Sequence, residues 1–490
     1  MSDLRKSQQP LNSLCKNFQG ELSELRTSRR QELLRSKRNI PSLKPSHAKL
    51  TTLPTPEQLI NYAETGLSGN TDSMDILLDC VNLDSKYVFD LISIGFYSRG
   101  FTTLQTLSSP ILSQFLRICS NSVSSKNTEE ITKHFISLGL INALDWMFSL
   151  NEEDVVKNGL WLISNCFTDS QTIKKQFLSV GICDKVLNLV TRMPTQDIIA
   201  TSIWFVSNIC NSNLFDVALD ITRIIQFVCT ILQNKNCYNT NVVDDAVWCL
   251  VFLCEWEKYS QFLFTEQIFK LVFSVIVEPS CAYSCVSFFI NVSYNNEDGK
   301  YISMLVADGI FGYLEKIIHS ATPKTMKKAF NCVSNLIGNP DPSPIEVLVS
   351  TTQILQIACD QVSNERNGYK LRIEMAFVIT NSLYGTGGEL VNLIVTKCPN
   401  LFETLVYIFK TMNNDSFLLN SLLKVIGDLI ELYYENGTNI VCVLETYSFD
   451  ETLHEILARP KTKESVKNTI KKFLCLYNTY NTKDRGFGEL

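Results

Sequence analysis

Histidine is scarce in these 490 residues: the four present, His47, His134, His319 and His454, stand too far apart to form a metal-ligand pair. No nucleophile elbow or phosphate-cradling loop accompanies them. The one glycine-rich stretch, residues 384–388, follows a helical pattern rather than a strand, and its glycines more simply end that helix. The chain is therefore expected not to be an enzyme, and to use neither cofactor nor metal. Strand-like alternation of apolar and polar residues is also missing, as is any βαβ pattern. Long apolar runs are missing too. The most membrane-like stretch, residues 271–290, is broken by Glu278 and Pro279, which argues against membrane insertion. Cysteine is plentiful at 17, yet no CxxC pair occurs, and Cys166, Cys210, Cys249 and Cys332 stand singly in apolar helical stretches. With no signal peptide at the start, these thiols are expected to be reduced packing residues of a cytoplasmic or nuclear protein.

What the chain has instead is repetition. Trp161 with Asn165 in WLISN returns 43 residues later as Trp204 with Asn208 in WFVSN, and 44 residues after that as Trp248 with Phe252 in WCLVF. The asparagine position then continues through Asn291, Asn335 and Asn381, at steps of 39, 44 and 46. A period near forty is the mark of armadillo or HEAT repeats, whose two or three helices bury their apolar faces only by stacking on neighbours. The expected fold is all-α: a right-handed superhelix of about ten repeats with a concave groove. Residues 155–169 show two stripes. Val156, Leu160, Ile163 and Phe167 form a core stripe, whereas Asn158, Trp161, Asn165 and Asp169 recur at i, i+3, i+7 and i+11 on another face. The bland reading of that second face is a tryptophan capping the seam between repeats and an asparagine satisfying backbone groups. Its recurrence in one register favours a displayed ladder.

Charge is unevenly spread. Residues 1–50 hold 11 Lys and Arg against 4 Asp and Glu, so with the chain at −6 the remaining 440 residues carry −13. An acidic body repels phosphate and attracts basic peptide, including its own tail, so no direct nucleic-acid partner is expected. Residues 21–38 suit an amphipathic helix that is stable only when docked, and Pro41, Pro45, Pro54 and Pro56 mark an extended linker. The expected divisions are 1–55 for this segment and linker, 56–480 for the repeats and 481–490 for a short polar tail.

Tryptophans one repeat apart are expected to leave slots in which a lysine or arginine lays its methylenes along an indole, while asparagine amides hold the peptide main chain and acids fix the register. This is peptide recognition.

With these residues in view the chain resembles the importin α family, adaptors that bind nuclear localisation signals and join importin β through an N-terminal segment. Residues 24–40, ELRTSRRQELLRSKRNI, are similar to that segment. The resemblance implies importin-β binding and autoinhibition by Arg26, Arg29, Arg30, Arg35, Lys37 and Arg38. It implies a major cargo site of Asn158, Trp161, Asn165, Asp169, Trp204, Asn208, Asp245 and Trp248, and a minor site of Asn291, Glu297, Asn335, Glu374, Phe377 and Asn381. It further implies shuttling between cytoplasm and nucleus, with basic cargo proteins, importin β and a recycling export receptor as partners. The departures are specific. In the second repeat the tryptophan and asparagine positions are read as Phe115 and Cys119. In the seventh, Asn331 takes the tryptophan position and Lys328 stands where an acid is expected; in the eighth, Phe377 replaces tryptophan. The arginine run upstream of the binding helix is absent. The alternative is an armadillo scaffold for a dedicated partner, without import activity.

Overall fold

Among the described residues helix follows helix from Pro56 to Asp484, 28 α-helices, and no strand occurs. The all-α expectation holds. The computed structural model describes residues 54–484 except 125–126, 168–169, 212–219, 295–298, 339–340, 385, 413–415, 437–439, 461 and 463. The basic segment from Arg26 to Arg38 lies outside the described residues, as do Asp169 and Glu297.

A typical repeat is a short helix, a second helix and a longer third one, as in Thr128–Ser137, Leu140–Ser149 and Glu153–Cys166, and again in Gln171–Ser179, Ile182–Arg192 and Gln196–Cys210. In several repeats the joint between the first two is made by one residue in the left-handed region. Gly95, Gly139, Gly181 and Gly309 adopt φ of 73°, 98°, 67° and 79° there. Each donates its N–H to the carbonyl three residues back at 3.0 Å. A Cβ would crowd the following carbonyl at such an angle, so glycine ends one helix and opens the next without strain. Several third helices start on a side-chain cap: Thr195 accepts from the Ile198 amide, Asn239 from Val242 and Thr322 from Thr325.

The chain divides into two compact units between Leu263 and Phe264. In the first, the helices Thr71–Leu83, Ser109–Val123, Glu153–Cys166, Gln196–Cys210 and Thr240–Leu253 pack each on the next. In the second the same is true of Ala282–Tyr294, Pro323–Ile337, Tyr369–Leu383, Ser416–Glu435 and Glu464–Asp484. The last of these runs to Asp484.

The predicted core stripe is buried: Val156, Leu160, Ile163 and Phe167 are at most 1% exposed. Cys166, Cys210, Cys249 and Cys332 are buried as free thiols. Burial pushes the Cys166 thiol up to about 12, which keeps it protonated and apolar.

Candidate functional site

On the Glu153–Cys166 helix, Asn158, Trp161 and Asn165 share one face, as their spacing requires. The two amides are spent within the fold. Asn165 is fully buried and its Nδ2 donates to the Ser120 carbonyl at 3.1 Å and to Ser120 Oγ at 2.9 Å, on the preceding third helix. Asn158 repeats this two turns earlier, donating to Ser113 Oγ at 2.8 Å and to the Ser113 carbonyl at 3.2 Å. The second unit holds the same clamp, with Asn381 Nδ2 donating to the Ser334 carbonyl at 3.0 Å. Each such bond contributes about 1 kcal/mol to the stacking of neighbours.

Asn208 departs from this rule. The homologous acceptor would be Ser164, whose hydroxyl donates to the Leu160 carbonyl at 2.7 Å. Asn208 Nδ2 is buried and meets no hydrogen-bond acceptor among the described residues. An unpaired buried donor is costly and rare, and a carbonyl from a bound chain would satisfy it.

The tryptophans also differ from expectation. The ring centroids of Trp161 and Trp204 are 5.2 Å apart at an interplanar angle of 50°. A hydrocarbon chain between two rings needs about 3.5 to 4 Å on each side, so roughly 7 Å or more. No slot therefore exists between these two rings, which pack on one another instead. Trp248 stacks on Phe252 of its own helix, 5.3 Å away and tilted by 29°. Trp161 is half-buried, while Trp204, Trp248 and Asp245 each keep no more than 5% of their surface exposed. Asp197, on the same run of helices, is taken by Lys157 of the preceding repeat at 2.5 Å.

The second repeat corrects the sequence register. Phe115 and Cys119 are both fully buried on the Ser109–Val123 helix. The Phe115 ring lies 5.6 Å from Phe96 and 5.5 Å from Phe101, and it presses on Gly100 so closely that a Cβ there would come within 2.2 Å of it. These are core residues. The helix-to-helix bonds give the true register: Asn121 Nδ2 donates to Asn82 Oδ1 at 2.8 Å and Gln114 Nε2 to Asp75 Oδ1 at 2.8 Å. Asn121 thus stands where Asn165 stands, Gln114 where Asn158 stands, and Arg117 where Trp161 stands. Burial lowers the pKa of the Arg117 guanidinium, while the charges of Asp75 and Asp154 raise it. Sequence matching missed Arg117 and Asn121 because it sought an aromatic residue. The recurring Ser-Asn pair, at Ser120, Ser164, Ser207 and Ser334 with the asparagine after each, was the available signal.

In the second unit Asn291 and Glu374 are buried, whereas Asn335, Phe377 and Asn381 are half-buried. Glu374 already has cationic and amide partners. Lys327 Nζ lies 3.7 Å from its Oε1, and Asn331 Nδ2 donates to its Oε2 at 2.8 Å. Phe377 meets the Phe417 ring at 6.2 Å.

No family model and no curated protein matches the sequence. Among solved structures the chain is similar to an engineered protein whose crystal structure was determined by the Northeast Structural Genomics Consortium. That likeness covers 86% of this chain and 98% of the other, with a TM-score of 0.68 and 13% identity. It extends to the fold alone.

Proposed function

We propose that this protein is a nuclear import adaptor of the importin α kind. It would hold a Lys/Arg-rich localisation signal on the Trp/Asn face of the first unit and join importin β through its basic N-terminal segment. In this reading the helices wind as a right-handed armadillo superhelix of about ten repeats. The observation that carries the proposal is the unpartnered Nδ2 of Asn208, four residues from Trp204 and one helix away from both Trp161 and Trp248. A peptide laid across these helices supplies the missing acceptor from its main chain. Its lysine methylenes rest on the half-exposed Trp161, which packs against Trp204, and its charge is balanced by Asp245 and, as the resemblance implies, by Asp169, which lies outside the described residues. Arg117 sets one end of the site, because a cation in place of a ring repels a basic side chain.

Fluorescence anisotropy with a labelled Lys/Arg-rich peptide tests the site. Binding that weakens on Asn208→Ala and on Asp169→Lys is expected; no binding by the full chain and none after removal of residues 1–50 would sink the proposal. One observation favours a second reading, a scaffold for a dedicated partner: Asn158 and Asn165 spend their amide donors inside the fold. A pull-down separates the two. An adaptor binds importin β through residues 1–50 and releases it to Ran-GTP, whereas a scaffold does neither.

A further inference from the structure

Three lysines crowd one face of the Pro323–Ile337 helix. Lys324 Nζ stands 5.3 Å from the centroid of the Tyr283 ring and Lys328 Nζ 5.8 Å from it, both within the distance at which a cation is held by an aromatic face. Lys327 pairs with Glu374 of the following third helix, whose other oxygen takes the Asn331 amide. Lys328 is itself buried, only 7% exposed. Counted from the asparagine rung, it occupies the position that holds Asp245 in the fifth repeat and Asn158 in the third. The ring and the carboxylate that would receive a cationic side chain in this stretch are thus engaged by the chain's own cations. A further lysine brought here would meet the charges of Lys324, Lys327 and Lys328 as well as that of Glu374.

We infer that Lys324, Lys327 and Lys328 are specificity determinants that close the second unit's ladder to basic side chains, so that the protein reads a single basic cluster and gains nothing from a second. This inference rests on the reading of the first unit as a basic-peptide site. It differs from what the resemblance implies, a minor site that takes a second cluster.

The test uses the full chain and two labelled peptides, one with a single Lys/Arg cluster and one with the same cluster joined through about ten neutral residues to a second Lys-Arg pair. Equal affinity within about twofold is expected. Substituting both Lys324→Ala and Lys328→Ala should favour the two-cluster peptide by roughly fivefold or more and leave the other unchanged. Lys324→Ala alone, at an exposed position with little bearing on folding, should give a smaller gain in the same direction. The inference is overturned if the natural chain prefers the two-cluster peptide tenfold or more, or if neither variant alters the ratio while both retain the natural melting temperature. Failure of both peptides to bind would instead remove the first-unit reading, and this inference with it.

Discussion

Asn165 and Asn208 stand at the same rung one repeat apart, and their unequal bonding separates an amide spent on the neighbouring helix from one whose Nδ2 has no acceptor among the described residues. Asn165→Ala removes two donors' worth of contact with Ser120 and strands a buried carbonyl, so it should cost about 1 to 3 kcal/mol and lower the melting temperature. Asn208→Ala breaks no bond of that Nδ2 among the described residues. It should leave thermal stability within about 0.5 kcal/mol and weaken peptide binding by about 1 kcal/mol. The reverse pattern, measured by calorimetry and anisotropy, would exchange their roles. A second comparison follows from the register of the Ser109–Val123 helix. Arg117→Trp replaces a repelling cation by a ring and should raise affinity for a basic cluster by about 1 kcal/mol. Phe115→Trp forces a larger ring against Gly100 and should lower stability by about 1 to 3 kcal/mol without any gain in binding. The slip of two residues in reading this helix has a physical origin. Phe115 and Cys119 are four apart just as Arg117 and Asn121 are, and spacing cannot tell a face turned to the core from one turned to the neighbouring helix.

The buried thiols give a pH dependence at the same scale. Burial raises Cys80 from 9.0 to about 11 and Cys166 to about 12. The unfolded chain therefore releases these protons first. Their favourable contribution is fully present below pH 9 and is lost as pH rises through the folded values. Urea midpoints should stay level near neutrality and fall between about pH 9 and 12. A flat response across that window would mean the thiols are hydrated. Alkylation at neutral pH should mark Cys237, Cys442 and Cys475, which are exposed, and spare Cys119, Cys249 and Cys332 until the protein is denatured.

At the scale of the element, the joint between the first and second helices of a repeat recurs with one left-handed residue at Gly95, Gly139, Gly181 and Gly309, whereas Gln353 and Asn400 make theirs at negative φ. Ser448 takes the place of glycine in one joint, at φ 58°, just before the helix Phe449–Ala458. A side chain at that angle costs about 1 kcal/mol, so Ser448→Gly should stabilise by about 0.5 to 1 kcal/mol, and Gly139→Ala should destabilise by about 1 kcal/mol. Thermal melts check both; equal melting temperatures would show that the joints relax elsewhere. The third helices were legible because their apolar residues recur every three to four positions and because tryptophan is rare enough to mark a period. The joints were legible only in retrospect. A glycine followed by a large apolar residue, as in Gly95-Phe96, Gly139-Leu140 and Gly181-Ile182, looks like many helix ends until its recurrence is seen. Contact between the Trp161 and Trp204 rings was not legible at all, since the approach of two helices depends on the packing between them rather than on either sequence alone.

Across the whole molecule, the uneven charge matters most. With residues 1–50 at +7 and the remainder at −13, the proposed function implies a tethered basic segment that would compete with a basic peptide at roughly millimolar effective concentration. Removing residues 1–50 should tighten peptide binding by about tenfold and make Trp204 and Trp248 easier to quench with acrylamide. The difference between the two forms should shrink as salt is added, because screening would weaken attraction between a basic segment and an acidic body. Unchanged affinity and unchanged quenching would exclude competition by the segment.

The serine-to-asparagine clamp carries a different lesson, about how such a chain can change its length. At Asn165 and Asn381 the rung is measured from the one before it, by a bond from the asparagine to the helix one repeat back. Removing one residue inside a third helix turns everything beyond it by about 100°, which carries the next asparagine away from its acceptor. Adding residues between helices leaves every rung where it was. The steps between successive rungs accordingly wander from 39 to 46 residues while the tryptophan-to-asparagine offset stays at four. Insertions in a lineage of such chains should accumulate at the connections and spare the third helices. A gene altered by one codon there should give a protein that misfolds from that point onward.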